Sequence, residues 1–258
     1  MRLKDASRKA SSARIPSDVR AGVRAAAEAM RAGRARQLWI NSSTERRGAL
    51  AALAEEARRA GIPVRLVPAE SLDHRAGSAR HQGVLALVAP FSYSSLDDLL
   101  ALDRDEPPLL LALDGVEDPQ NLGSVLRSVD AAGAHGVILP ERRAAPVTPA
   151  VARASAGALD HVPIAHVVNL PRALDHVKER GLWVYGLDMS GTEAYDEADY
   201  NRPLMLVAGA EGKGISRLVR EQCDVLVRIP LHGHVASLNV SVACALALFA
   251  ARRARERR

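Results

Sequence analysis

Ile229-Pro230-Leu231-His232-Gly233-His234-Val235-Ala236-Ser237-Leu238-Asn239-Val240-Ser241-Val242-Ala243 joins two different periodicities across one short polar loop. The alternating β-branched run Val225, Val227, Ile229 reads as a strand, and Pro230 stops it by removing a backbone donor. Ser237 and Asn239 then open an Ala-rich apolar segment that predicts a helix from Leu238 to about Arg253. A strand–loop–helix junction of this kind gathers unpaired backbone N–H groups and small polar side chains at a helix start. In open α/β proteins that is where a ligand is held.

Working outward, further apolar runs alternate with helical patterns. Strands are predicted at Leu109 to Leu113, Gly136 to Leu139, Val162 to Val167, Trp183 to Leu187, Leu204 to Ala208 and Val225 to Ile229. Helices are predicted at Leu122 to Ala132, Val151 to Gly157, Leu170 to Gly181 and Ile215 to Gln222. Such alternation predicts an α/β fold with a largely parallel sheet covered on both faces. Upstream stands a smaller α/β unit. Its pattern is a helix capped by Ser17-Asp18 and running to about Met30, a strand Gln37 to Asn41, and a helix from Thr44 to Ala60. A strand Val64 to Val67, a short helix near Ala69 to His74, and His81-Gln82-Gly83 before a strand Val84 to Val88 complete it. The organisation is therefore a basic mobile arm over residues 1–16, a first domain over 17–90, a linker over 91–106 and a second domain over 107–258. Ser92, Ser94, Ser95 and Pro107-Pro108 mark the linker, with a short helix around Leu96 to Leu102.

Composition narrows the function modestly. With 48% hydrophobic residues but only 3% aromatic, the core must be built of Ala, Val and Leu. The net charge of +5 suits a polyanionic partner, although basic residues at the two ends supply much of it. Cys223 and Cys244 lack metal-type spacing and read as reduced thiols. No run reaches the ~18 apolar residues of a membrane span, and the charged N-terminus lacks the apolar core of a secretory signal. A cytoplasmic protein without membrane contact is expected.

Two more polar segments follow strands. In Asp114-Gly115-Val116-Glu117-Asp118-Pro119-Gln120-Asn121-Leu122-Gly123-Ser124, Asn121 fits a helix N-cap, and Ser124, Arg127 and Ser128 share one helix face. An arginine flanked by small residues at the mouth of a sheet is well placed for a phosphate. Gly209-Ala210-Glu211-Gly212-Lys213-Gly214 packs three glycines into one turn, which implies close backbone approach or positive φ. It is no nucleoside-triphosphate loop, since Val207 and Gly214 stand where glycine and Ser or Thr would be needed. No dinucleotide fingerprint fits either, because Arg217 occupies the last glycine position. No third ligand accompanies His232 and His234, so no metal is expected. No Gly-x-Ser-x-Gly elbow surrounds Ser124, Ser155 or Ser237.

Taken together, Asn121-Leu122-Gly123-Ser124 with Arg127-Ser128, Gly209-Ala210-Glu211-Gly212 with Gly214, and Ile229-Pro230 through Ser237-Leu238-Asn239-Val240-Ser241-Val242-Ala243 resemble the three motifs of the SpoU/TrmH branch of the SPOUT RNA methyltransferases. The likeness spans residues 107–253, and His81-Gln82-Gly83 makes the first unit similar to an L30e-like RNA-binding domain of the two-domain enzymes. The resemblance implies a SPOUT-type parallel sheet with a C-terminal trefoil knot, a homodimer, and S-adenosyl-L-methionine as cofactor. It implies cofactor contacts at Gly209, Ile229 and Leu238, and catalytic roles for Asn121, Arg127, Glu211, Ser237 and Asn239. It further implies methylation of a ribose 2′-hydroxyl in RNA, a guanosine of 23S rRNA in the first place, with tRNA as the alternative substrate. A non-catalytic RNA-binding protein on the same fold is the competing class, which the intact polar set argues against.

Overall fold

The computed structural model describes residues 18–46, 48–77, 80–102 and 105–257. The arm expected over residues 1–16 and the Ser17 cap lie outside the described residues. Contacts divide the chain into two units, the first running to Pro90 and the second beginning at Phe91.

In the first unit, β1 (Val19–Ala21), β2 (Ala35–Asn41), β3 (Val64–Val67) and β4 (Val84–Val88) form a sheet in the order β1-β4-β2-β3. Only the β2–β3 pair is parallel. Helices α1 (Val23–Arg31) and α2 (Gly48–Arg59) bury Ala26, Ala29, Leu53 and Ala57 on one face, and α3 (Ala69–Ala76) buries Leu72 and Ala76 on the other. Two helix starts differ from expectation. Val19-Arg20-Ala21 is drawn into the sheet by β4, so α1 starts later, from Gly22 at φ +97°, and Asp18 pairs with Arg75 instead of capping. Residues 42–46 form a turn held by Asn41, whose Oδ1 accepts from the Ser43 N–H at 3.0 Å, and α2 waits until Gly48.

The second unit holds α4 (Leu96–Leu100), β5 (Leu109–Asp114), α5 (Pro119–Ala131), β6 (Gly136–Pro140), α6 (Pro149–Ala154), β7 (Ile164–Val167), α7 (Leu170–Glu179), β8 (Trp183–Leu187), β9 (Glu193–Ala194), β10 (Leu204–Gly209), α8 (Arg217–Glu221), β11 (Val225–Arg228) and α9 (Val240–Glu256). Its strands order as β7-β6-β5-β10-β8-β11-β9, every pairing parallel. The β5 strand is buried along its whole length: Leu109, Leu111 and Leu113 face α5 and α9, while Leu110 and Ala112 face α7 and α8. That double burial explains its unbroken apolar run. The later strands do not add at the edges. β10 enters between β5 and β8, and β11 between β8 and β9. The direction of strand addition reverses between β5 and β10, so their carboxyl ends flank a switch point.

The segment read as a linker is largely part of this unit. Ser94 bridges to Ala165 as a short continuation of the sheet, and its N–H donates to Ile164 O at 2.9 Å. The Tyr93 ring stacks on His166 with centroids 3.4 Å apart, and its hydroxyl accepts from the Val147 N–H at 3.0 Å. Leu99 is fully buried against Gly136, where a Cβ would stand 2.4 Å from its Cδ1. Burial pushes both thiols, Cys223 and Cys244, up to about 12, so neither is a nucleophile at neutral pH.

Candidate active site

The first polar segment follows β5. Asp118 caps α5, its Oδ1 accepting from the Gln120 N–H at 3.0 Å, and Pro119 fills the first helical position. The cap expected at Asn121 is therefore corrected: Asn121 sits inside the first turn with its side chain free to reach across the site. Gly123 is buried because α6 crosses it; a Cβ there would stand 2.3 Å from Ala154 Cβ and 2.9 Å from Ser155 N. One turn further on, Arg127 is exposed and makes no hydrogen bond or ion pair among the described residues.

The second segment leaves β10 at Gly209. A Cβ on Gly209 would stand 1.9 Å from the carbonyl carbon of Gly214, so the loop folds back onto its own start. The Gly214 N–H donates to Ala210 O at 2.8 Å, and Gly212 and Gly214 have φ of +76° and +66°. Sequence reasoning passed over the residue that anchors this loop. Asp114, at the end of β5 and only 9% exposed, accepts from the Ser216 N–H through Oδ2 at 2.7 Å, tying the second segment to the strand before the first. The available signal was an acidic residue at the carboxyl end of an otherwise apolar strand.

Asn239 joins all three segments. It caps α9, one residue into the expected helix, with Oδ1 accepting from the Ser241 N–H at 2.9 Å and the Ser241 hydroxyl at 2.6 Å. The Ser241 backbone donor fixes which amide atom is oxygen, so Nδ2 faces two acceptors. It donates to Asn121 Oδ1 at 2.9 Å and to Glu211 Oε2 at 3.1 Å. Glu211 thus meets the cap of α9.

A cavity of about 300 Å³ opens beside this node. Gly209, Ile229 and Leu238 line it, as do Ser237 and Glu211 from the catalytic set; Asn239 stands behind Glu211, Asn121 behind Asn239, and both lie outside the lining, as does Arg127. His232 and His234 are exposed, and no group of three metal-binding side chains occurs among the described residues. Sequence reasoning also missed Asp188, which enters the cavity from the end of β8. Burial raises its carboxyl, but the Ser190 hydroxyl and N–H and the charge of Arg220 outweigh it and hold it below the usual carboxylate value. Apolar walls (Leu187, Met189, Leu231) together with the carboxylates Asp188 and Glu211 and the cations Lys213 and Arg220 suit an elongated group that combines a flat ring, hydroxyls and charges of both signs.

Residues 108–249 match the SpoU rRNA Methylase family, and residues 21–94 match the family described as RNA 2'-O ribose methyltransferase substrate binding. A Bacillus subtilis (strain 168) protein named putative TrmH family tRNA/rRNA methyltransferase YacO is 47% identical over 215 residues, 83% of this chain and 86% of that one. The SpoU methyltransferase AviRb from Streptomyces viridochromogenes, solved in complex with AdoMet, is similar with a TM-score of 0.76 at 29% identity, over 92% of this chain and 90% of that one. An AdoMet-bound rRNA methyltransferase from Sinorhizobium meliloti gives 0.74 at 28% identity, over 91% and 86%. The chain belongs to the SpoU rRNA methylase family. It is an RNA methyltransferase of the tRNA/rRNA class with a SPOUT-type sheet and a separate N-terminal substrate-binding domain, and its cofactor is S-adenosylmethionine, which the character of the cavity fits.

Proposed function

We propose that this protein methylates a ribose 2′-hydroxyl of RNA, a guanosine of 23S rRNA, with Asn121, Arg127, Glu211, Ser237 and Asn239 as its catalytic set. The observation that carries the reading is the Asn239 amide, bonded at once to Glu211 and to Asn121, which shares α5 with Arg127, an arginine that has no partner among the described residues. When bound, S-adenosylmethionine supplies an electrophilic methyl group on a sulfonium. Gly209, Ile229 and Leu238, which line the cavity, would hold it. In-line displacement needs an aligned, partly deprotonated ribose oxygen, so positioning is a large share of the catalysis. Arg127 binds an RNA phosphate and lowers the pKa of the nearby 2′-oxygen. A guanidinium stays protonated in water and is a poor base, so electrostatic stabilisation is the role it fills. Asn121, Ser237 and Asn239 orient the ribose, and Glu211 fixes Asn239.

Two observations favour rRNA. The first unit matches a substrate-binding family over residues 21–94, and an enzyme described as an rRNA methyltransferase covers 91% of this chain, both units included. The homodimer belongs to the same proposal: Val242 and Phe249 stand 46% and 48% exposed on the outer side of α9, with Leu246 between them at helical spacing. So does the C-terminal knot, which the insertion of β10 and β11 between earlier strands supports. The test is to map 2′-O-methyl groups in rRNA and tRNA from cells lacking the protein. Loss at a 23S rRNA guanosine is expected. Loss in tRNA alone would assign the alternative substrate, and no loss in either would reject ribose methylation.

A further inference from the structure

We infer that Asp188 is a specificity-determining residue of the cofactor site, its Oδ2 accepting a hydrogen bond from a neutral donor on the adenosyl half of S-adenosylmethionine. This rests on reading the cavity as the cofactor site. Asp188 is fixed from three directions. Its N–H donates to Val227 O at 3.0 Å, continuing the ladder beyond β8. The turn it starts closes through the Gly191 N–H on Asp188 O at 3.0 Å, and it lies so close to β11 that a Cβ at Gly191 would stand 2.6 Å from Leu226 O. Its side chain is only 12% exposed.

The two carboxylate oxygens are not equivalent. Oδ1 takes the Ser190 N–H at 2.9 Å and the Ser190 hydroxyl at 2.6 Å, which fills it. Among the described residues Oδ2 has only Arg220 Nε at 3.4 Å, and it faces the bare backbone of Gly214, whose added Cβ would stand 4.0 Å away. An ionised carboxylate offers about four lone-pair positions, so Oδ2 keeps acceptor capacity toward the cavity. Arg220 beside it already offsets the charge, and Lys213 lines the same cavity. That end therefore suits an O–H or N–H donor better than an ammonium. Position agrees. Asp188 follows β8 and Asn121 follows β5, with β10 between them, so the strand ends are roughly 10 Å apart at ordinary strand spacing. With its methyl group presented to the Asn121–Asn239–Glu211 node, the cofactor would extend across β10 toward Asp188.

The test is isothermal titration of the full chain, wild type and Asp188→Asn, with S-adenosylmethionine, S-adenosylhomocysteine and 5′-methylthioadenosine. We expect Asp188→Asn to weaken all three about tenfold and alike, in the range of a hydrogen bond to a charged group. A loss confined to the two ligands carrying the amino acid would mean that Asp188 reads the ammonium, and equal affinities for both proteins would leave it a turn residue. Either result overturns the inference. The 2′-deoxy, 3′-deoxy and N6,N6-dimethyl forms of 5′-methylthioadenosine then separate ribose hydroxyl from adenine amine. One of them should bind the wild type about tenfold more weakly than its parent, and Asp188→Asn should erase that difference. If all three bind the wild type like the parent, the inference fails whether or not the variant folds. Leu238→Arg tests the underlying reading separately. It should abolish binding of every ligand, and retained binding would place the cofactor elsewhere whatever Asp188 does.

Discussion

Asn239 performs two jobs with the two ends of one amide, and a single substitution can separate them. Asn239→Asp keeps an oxygen for the Ser241 N–H and adds negative charge at the α9 N-terminus, so helix capping survives. It replaces the Nδ2 donor, which lies 3.1 Å from Glu211 Oε2, with a second carboxylate oxygen. Two such oxygens repel, and one carboxyl of the pair is raised. We expect a melting temperature within a few degrees of wild type and methyl transfer reduced by roughly a hundredfold, the scale of a misplaced catalytic group. Lowering the pH protonates the coupled pair and restores a donor between the oxygens. Relative activity of the variant should therefore rise toward pH 5, measured as tritiated-methyl incorporation; a flat ratio would mean that the Glu211 contact is incidental. Arg127→Ala makes the contrasting case. With no partner among the described residues to lose, it should abolish transfer and leave cofactor affinity nearly intact by titration calorimetry. The Asn121–Asn239 bond was not legible in the sequence, because the two residues stand 118 positions apart and periodicity describes only local neighbours.

Elements show the reverse balance. Trp183 to Leu187, Val64 to Val67 and Val84 to Val88 were legible to the residue, because apolar runs bounded by breakers report burial directly. Starts were less legible where a tertiary partner decides them. β1 is three residues long and exists because β4 pairs with it, and α5 begins at Asp118-Pro119, ahead of the motif that drew attention to Asn121. Gly123 is explained by its neighbour on α6, which stands a methyl group's width from it. Gly123→Ala should cost about 1–3 kcal/mol, the range for overpacking, despite the better helix propensity of alanine. Thermal melts would read that loss, and a stabilised variant would mean that α6 moves freely. A second element-level contact closes the end of α9. Glu106 accepts two hydrogen bonds from Arg252, at 2.9 and 2.8 Å, while Arg252 also donates to Ala132 O at 2.7 Å. The Arg252 hydrogen bond outweighs burial and lowers the Glu106 carboxyl. A depressed carboxyl contributes stability above its unfolded value, which is lost as pH falls through the folded one. Glu106→Gln should therefore cost about 1 kcal/mol at pH 7, and the gap to wild type should close below about pH 4.5. A gap independent of pH in denaturant titrations would assign the effect to packing.

At the scale of the whole molecule, α9 carries two apolar faces where one suffices for folding. Val240, Cys244, Ala247, Leu248 and Ala251 fill the core, which leaves Val242, Leu246 and Phe249 as a second stripe that the described residues cover only in part. That duplication explains why the segment reads as apolar nearly all round, a pattern a helix packed on one side only does not need. The stripe was present in the sequence, yet periodicity alone could not say whether it faced a core or a partner. The same helix begins at Asn239, so a second copy docked on α9 would brace the catalytic node through its cap. A wild-type chain of 27.6 kDa should then sediment as a species of twice that mass at micromolar concentration. Phe249→Glu places a charge on the stripe without touching the core face. It should shift the protein to monomer, leave the far-ultraviolet spectrum unchanged, and reduce methyl transfer more than it reduces cofactor affinity. A wild type that sediments as a monomer would remove the dimer from the proposal, and a fully active Phe249→Glu monomer would show that each copy completes its own site.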